Sequence, residues 1–521
     1  MSKRNKFTIW LIRILVVFTM LIVLVMVLSP RLINLEMVRN QVKDKVTRDI
    51  GGDIKYRRMV LAYFPQPHVL IQKAEIRIPD SFTIKIHRLR IYPKIWPLLR
   101  GEVSVAKVRL EYAEYFMELP RISKATAVPK DIVSVDTIVK EIARAVKSLP
   151  EFKLPDINLS VKYGKIDLVD PFGRQFKLRE VQADYHSGPQ RLDFSIECKS
   201  NLWDQIDITG FLNPTDFKGR GNIGLSQFRP QALLAYLLPD SRQQVTDARA
   251  NLNIDFELLG AGNLRAEFDG AVPIFQLGRD KHELAFKGGR LKGTLDFADR
   301  AFKVELTELG LNDPQLAANA MFSYDENQKD IQLSINGSQI NADAVRQMTL
   351  ALAGESEIIR SIFDIIRGGH VPWISVQIQG HTMAELGMLE NIVIKGKMTR
   401  GKIYIPEVEL DLEDVSGDAL IANGVLNGDN LHARMGKSRG QNGKLRLGLN
   451  EAITPLKLQI DFKADLSQLP PVLNRIIDDL DFTNELARIR DVDGSASGVL
   501  ILGDALAGLG ATVNVSKAEI T

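Results

Sequence analysis

The chain has 521 residues, with 67 Lys and Arg against 64 Asp and Glu and a formal net charge of +3. So small a surplus over that length excludes a large basic field for nucleic acid. Cys198 is the single cysteine, which excludes an intrachain disulfide and leaves the redox compartment unread.

The first element is a membrane span. Met1–Lys6 is a basic tail carrying Lys3, Arg4 and Lys6, and Phe7–Leu28 is apolar except for Thr8, Arg13 and Thr19. That run matches the roughly 20 residues a helix needs to cross a bilayer core. Its apolar core is longer than that of a cleavable signal, and Pro30 is a poor residue to follow a cut. Residues 1–30 therefore read as a cytoplasmic tail and an uncleaved signal anchor. Lys3, Arg4, Lys6 and Arg13 favour a cytoplasmic N-terminus. The bias is small, because Arg31, Arg39, Lys43, Lys45 and Arg48 lie on the other flank. This orientation exports everything after Pro30.

Arg31–Ile50 has the spacing of an amphipathic helix, with Ile33, Met37, Val38, Val42, Val46 and Ile50 on one stripe and Gly51-Gly52 as its stop. Beyond it the period changes to two. In Ala248–Leu258 the even positions are Ala248, Ala250, Leu252, Ile254, Phe256 and Leu258, and Asn253, Asp255 and Glu257 lie between them. In Leu456–Leu466 the even positions include Leu456, Leu458, Ile460 and Phe462, against Lys457, Gln459 and Asp461. Such alternation marks a strand with one wet and one apolar face. Shorter runs of the same kind include Val103–Tyr112, Ile157–Tyr163, Ile331–Ile335, Ile374–Ile378 and Leu445–Leu449. Turn signals stand at Asn213-Pro214, Gly219–Gly221, Gly288-Gly289, Asn423-Gly424 and Asn427-Gly428. Roughly twenty strands are expected by this pattern, pairing antiparallel as a meander.

Helical patches interrupt them. Asp131–Ser148 carries the stripe Ile132, Val135, Val139, Ile142 and Val146, read as a cap on a sheet end in preference to a membrane-surface helix. Pro230–Leu238, Ile358–Arg367 and Pro471–Leu480 are shorter. Leu225-Ser226-Gln227, Ser338-Gln339 and Leu466-Ser467-Gln468 precede the last three patches, an internal repeat of roughly 110–130 residues. The expected organisation is the anchor, a helix-and-strand module over 31–120, an amphipathic linker over 121–150, and a repeated β region over 151–521 with helical interruptions near 230–244, 340–369 and 470–490.

An apolar strand face must be buried against something, and the helices are too few to cover these strands. Either the sheet closes on itself as sandwiches or barrels, or it curls into a gutter filled by a ligand; the pattern leaves both open. In the gutter, Leu252, Ile254, Phe256, Leu258, Leu456, Leu458, Ile460 and Phe462 line the floor. A lining of Val, Ile, Leu and Ala suits hydrocarbon, and aromatic residues are only 7% of the chain.

No motif supports catalysis. Gly219-Arg220-Gly221-Asn222-Ile223-Gly224 matches the dinucleotide spacing but lacks the strand before and the helix after, so it reads as a hairpin turn. Gly494–Gly498 has Ala496 where a nucleophile elbow needs its serine. The seven histidines are scattered, which gives no metal set, and Asp491 with Asp493 reads as a turn. Neither a catalytic residue nor a cofactor is expected.

The segment Phe64-Pro65-Gln66-Pro67-His68-Val69-Leu70-Ile71-Gln72-Lys73-Ala74-Glu75-Ile76 is followed by Ile84–Tyr92, Trp96-Pro97-Leu98-Leu99-Arg100-Gly101 and Val108-Arg109-Leu110-Glu111, closing at Leu119-Pro120. That order of anchor, helix, Pro-led strand and Leu-Leu-Arg-Gly turn resembles the AsmA-like family, and Ile405–Gly424 resembles its repeated hairpin. The likeness is good over residues 1 to 120 and loose beyond. That family is a Gram-negative envelope group, kin to TamB and to the chorein-type bridge lipid-transfer proteins. The resemblance implies a bacterial inner-membrane anchor, a periplasmic body and a long, twisted, mostly antiparallel β-sheet curled into a hydrophobic groove. It implies phospholipid as the cargo, passed between inner and outer membranes, with no enzymatic step. The alternative is a structural or assembly factor for outer-membrane biogenesis that conducts no lipid. Full bridges in this group are often much longer, and this chain ends on a strand at Ala511–Val515, so either an envelope partner continues the groove at the C-terminal end or the function is not a full bridge.

Overall fold

The computed structural model describes residues 53–62, 66–78, 82–94, 96–97, 104–118, 157–169, 175–231, 245–260, 262–279, 282–298, 300–312, 316–353, 357–382, 385–406, 409–449, 457–468, 470, 472–473, 480–502 and 506–520. The expected anchor, the helices over 31–50 and 131–148, the turn at Leu98–Gly101 and Leu456 lie outside the described residues. No helix among the described residues is long and apolar enough to cross a membrane.

Mainly β structure is what the alternation predicts, and strands dominate. The chain divides near residue 224 into two compact units. In the first, β1 (Asp53–Lys55) and β2 (Arg58–Ala62) both pair antiparallel with β3 (His68–Ile78). Then follow β4 (Phe82–Pro93), β5 (Val105–Glu118), β6 (Asn158–Val169), β7 (Gln175–Ser187), β8 (Leu192–Ser200), β9 (Gln205–Leu212) and β10 (Lys218–Phe228). One step departs from the expected meander: β5 and β6 run parallel, from Lys107 opposite Asn158 to Glu118 opposite Val169. A parallel pair needs a long crossover, and the segment between Glu118 and Asn158 is long enough to make one. Val69, Ile71, Ala74, Ile86 and Leu89 form the buried core of this unit, with Tyr56, Met59, Val108 and Leu110 packed against it.

The second unit is antiparallel at every step from β11 to β24. Its strands are β11 (Val245–Gly260), β12 (Asn263–Arg279), β13 (His282–Ala298), β14 (Ala301–Leu311), β15 (Leu316–Asp325), β16 (Asp330–Asn341), β17 (Ile366–Gly380), β18 (Ile392–Ile405), β19 (Leu410–Ala422), β20 (Val425–Met435), β21 (Ser438–Gly448), β22 (Lys457–Asp465), β23 (Ile489–Leu502) and β24 (Leu506–Ile520). Helices α1 (Ala342–Ala353) and α2 (Glu357–Ile365) sit between β16 and β17, and α3 (Leu480–Ala487) precedes β23. Asn341 caps α1 by accepting the backbone N–H groups of Asp343 (3.0 Å) and Ala344 (3.3 Å). Arg367, expected in a helix, belongs to β17. Of the patch expected at Pro471–Leu480, its last residue opens α3, and residues 474–479 lie outside the described ones.

Several turn readings are corrected. Gly219–Gly221 lies inside β10, Gly288-Gly289 inside β13, Asn427-Gly428 inside β20, and Asp491 and Asp493 inside β23. The turn expected at the Gly-Arg-Gly motif is one step earlier, where the Asn213 N–H reaches the Lys218 carbonyl at 2.7 Å. Glycine inside these strands serves close approach: a Cβ at Gly219 would run into the Phe211 carbonyl. Asn423-Gly424 is the expected tight turn, with φ of 51° and 70°, the conformation that a two-residue hairpin favours.

A second local feature shapes both units. Inside the strands, Lys73, Tyr112, Tyr163 and Glu180 of the first unit have φ between 52° and 56°. So, within a few degrees, do Gln339, Arg400, Asp414, Asn430 and Asn442 of the second. At Tyr163, Glu180, Arg400, Asp414, Asn430 and Asn442 the pairing register slips, the mark of a β-bulge, which bends a strand and increases its twist; at Lys73, Tyr112 and Gln339 the register is kept. The bulges fall side by side: Arg400 and Asp414 flank the pair Gly401–Val415, and Asn430 and Asn442 flank Leu431–Gly443.

The candidate apolar binding face

Successive side chains of a strand leave opposite faces, and residues directly opposite on neighbouring strands share a face. In β11 the residues Leu252, Ile254, Phe256 and Leu258 are half-buried, and Asn253 and Asp255 are exposed. In β22 Leu458, Ile460 and Phe462 are half-buried, and Lys457, Gln459 and Lys463 are exposed. Seven of the eight sequence-chosen residues thus occupy half-buried positions of two separate strands, as do their neighbours Glu257 and Asp461.

The register joins those two strands. Leu252 is opposite Gly270, which is opposite Leu291, and the line continues through Leu309, Ala318, Gly337, Ile374, Gly396, Ala419, Gly428 and Leu445 to Leu458. It runs on through Leu502 to Leu506. Every member is aliphatic or glycine. A parallel line from Ile254 passes Phe268, Gly293, Leu306, Ala320, Ile335, Val376, Ile394, Ile421 and Leu426 to Leu447. The intervening strands carry most of this face, and the sequence choice missed them. Their signal was present as short alternating runs such as Ile374–Ile378.

Glycines on this face lie beneath the side chains of their neighbours. A Cβ at Gly270 would meet Leu252, one at Gly337 would meet Ile340 at 2.6 Å, and one at Gly443 would meet Ile460 at 3.2 Å. Small residues here let large neighbours lie flat on the face.

The face is not equally filled along its width. Phe297, Tyr324 and Ile331 are almost fully buried and pack with Leu264, Leu295, Phe302, Phe322 and Leu386. Leu386 comes from the connection between β17 and β18, two short 3₁₀ turns at Glu385–Gly387 and Leu389–Asn391. That connection is fastened by Glu385, whose carboxylate accepts the His381 backbone N–H at 2.8 Å and the Thr382 hydroxyl at 3.2 Å. The backbone hydrogen bond from His381, helped by Thr382, holds the Glu385 carboxyl below its ordinary range. At the other end of the strands α1 touches β12, β13, β16 and β17. The middle rows, with Ile254, Phe256 and Ile460, are the half-buried ones.

The opposite face is charged and wet. Arg265 pairs across strands with Asp296 at 2.7 Å, and Arg434 with Glu413 at 2.7 Å. Exposed pairs of this kind add up to about 1 kcal/mol each, so they favour solubility more than stability. Cys198, in the first unit, is buried, and burial raises its thiol pKa. Among the described residues no group of three or more His, Cys, Asp or Glu is placed to hold a metal ion.

A profile of the AsmA family matches residues 1–292, more than half of the 521 residues. The chain belongs to the AsmA family. The match takes in the whole first unit and the opening strands of the apolar face, including all of β11 and β12. No curated protein and no solved structure matches this AsmA chain.

Proposed function

We propose that the chain is a single-pass inner-membrane protein, N-terminus cytoplasmic and bulk periplasmic, that holds phospholipid acyl chains on its apolar sheet face. On this reading it passes them along that face between the inner and outer membranes, without bond chemistry or cofactor. The observation that carries the proposal is the unbroken aliphatic line from Leu252 to Leu506, whose central side chains are only half-buried by the protein itself. A bare 16-carbon tail in water costs on the order of 12 kcal/mol, so an apolar surface continuous across many strands is a low-energy path for it. Membership of the AsmA family agrees with an envelope role.

A photo-crosslinker tests it by parity. Placed at Ile254 or Phe256, or at Leu458 or Ile460, it should capture phospholipid in cells; at Asp255, Glu257, Gln459 or Asp461 it should not. Equal capture at odd and even positions, or none, removes lipid passage. A reporter fused after Thr521 that is active in the cytoplasm overturns the topology. The buried Phe297–Tyr324 cluster favours a second reading, an assembly scaffold whose sheet packs on itself. Absence of lipid at Ile254 with a stable fold leaves that one standing.

A further inference from the structure

The outward face of the first unit carries an aromatic ridge that its own packing does not use. Tyr112 of β5 and Tyr163 of β6 are 51% and 53% exposed, and their rings stack at 5.1 Å with 16° between planes. They fall between the registered pairs Glu111–Lys162 and Glu114–Lys165. His87 of β4 meets Tyr112 edge-on at 6.2 Å. Phe116, on the same outward face, is 47% exposed.

Both tyrosines have a positive φ, 52° and 56°, a backbone region that bulky residues rarely occupy and that Asn tolerates well. The equivalent positions of the second unit carry the polar residues Gln339, Arg400, Asp414, Asn430 and Asn442. Two exposed tyrosines therefore stand where a polar residue would serve the fold better.

The charge around the ridge is mostly positive. Lys73, Lys85 and Arg88 are exposed beside it on β3 and β4, Arg88 lying 3.7 Å from the Glu111 carboxylate. Among the nearby carboxylates, Glu111 is held by Arg90 at 2.7 Å, Glu75 by Arg77 at 2.9 Å and Glu114 by Lys165 at 3.0 Å. Tyrosine rings favour the headgroup level of a bilayer, and neighbouring Lys and Arg favour anionic lipid. The first described strand starts at Asp53, soon after the apolar run Phe7–Leu28 in the sequence.

We propose that the Tyr112–Tyr163 ridge docks the first unit against the anionic headgroup surface of the membrane that anchors the chain. This rests on the anchored topology proposed above and not on lipid passage, since the ridge lies on the face opposite the core at Ile71 and Leu89. Docking would fix the attitude of the unit toward the bilayer.

The test uses the full-length protein reconstituted in vesicles of phosphatidylcholine, with or without phosphatidylglycerol. A photo-crosslinker replaces Phe116, leaving both tyrosines in place, and a control replaces Trp373, which is 44% exposed on the second unit. Phe116 should capture phospholipid several-fold more than Trp373 in the anionic vesicles, and less in the neutral ones. Capture should fall with Tyr112→Asn plus Tyr163→Asn, and separately with Lys85→Glu plus Arg88→Glu. The Asn pair suits the left-handed backbone, so an unchanged melting temperature shows that the loss is not unfolding. Adducts at Phe116 no more frequent than at Trp373, or adducts only to protein, overturn the proposal. A probe at Ile254 in the same vesicles separates the two readings: lipid at Ile254 without lipid at Phe116 removes the ridge and keeps the conduit, and the reverse keeps the ridge and removes the conduit.

Discussion

Replacing Ile460 by Asp separates an open lipid-bearing face from a closed core. Ile460 lies on the inward face of β22, opposite Leu500 of β23, with its side chain over Gly440 and Gly443. Full burial of an isoleucine is worth about 1.5–3 kcal/mol. For a half-buried one the loss is roughly half that, about 1 kcal/mol. Asp is also a poor strand residue, at a cost of up to about 1 kcal/mol. On an open face the carboxylate reaches water and stays solvated, so the sum is about 2 kcal/mol and the protein folds. In a closed sandwich the same carboxylate is unpaired and desolvated, and the loss exceeds about 4 kcal/mol. The consequence for lipid is the reverse. One strand spacing of ~4.8 Å covers roughly four CH₂ groups, and keeping them off the floor costs about 3 kcal/mol at ~0.8 kcal/mol each. That is roughly a hundredfold in occupancy or rate. Urea unfolding of the full-length protein in mild detergent, followed by circular dichroism, gives the first quantity. Lipid capture by a crosslinker at Leu500 gives the second. A loss of stability above about 4 kcal/mol refutes the open face, and a stable variant with undiminished capture at Leu500 refutes the conduit.

The two phenylalanines of the same face should behave unequally. Phe297→Ala, at a site 2% exposed, should cost about 3–5 kcal/mol, whereas Phe256→Ala at a half-buried site should cost roughly half as much; equal losses in urea unfolding would mean that both positions are closed. Glu385 supplies a pH dependence. Its folded pKa is depressed by the bonds from His381 and Thr382, so its contribution is complete above the unfolded value of about 4.3 and is lost as pH falls through the lower folded value. The protection factor of the His381 amide, with the intrinsic exchange rate divided out, should therefore fall on acidification below about pH 4, and Glu385→Ala should show a low protection factor without that acid step; a wild-type protection factor that does not change with pH would contradict the fastening role.

Strand identity was legible in this sequence wherever one face is wet, because period-two alternation has no helical counterpart. Ala248–Leu258 and Leu458–Phe462 show it, and both lie in strands, β11 and β22. Gly288-Gly289 and Asn427-Gly428 are strand positions with the residue types of turns: Gly288 takes the left-handed backbone, φ 65°, that a turn also asks for, and a Cβ at Gly428 would meet Leu431 at 3.1 Å, so residue type does not distinguish them from a turn. The parallel step between β5 and β6 had no local signature, since it depends on where a distant segment returns. The role of Leu386 was equally hidden: a lone leucine in a polar connection gains its meaning only from Phe297, Tyr324 and Ile331, far away in sequence.

The bulges also explain how a face this wide stays apolar. A residue at positive φ inside a strand shifts its parity by one residue, so the inward residues of β3 change from Val69 and Ile71 to Ala74 and Ile76 across Lys73. Alone, such a slip would turn the apolar set toward water over the rest of the strand. Here the neighbours slip at the same level. Met398 gives way to Gly401 on β18 as Gly417 gives way to Val415 on β19, and Gly428 gives way to Leu431 on β20 as Leu445 gives way to Gly443 on β21. The inward lines therefore cross the crease together and remain continuous. The same alignment holds in the packed core of the first unit, where Val69 and Ile71 give way to Ala74 on β3 as Leu89 gives way to Ile86 on β4. Aligned slips therefore keep an apolar face continuous whether that face is packed by the protein or left half-open. It is the half-burial at Ile254 and Ile460, against the near-complete burial at Ile71, that distinguishes the face of the second unit, and the Ile460→Asp variant probes that difference directly.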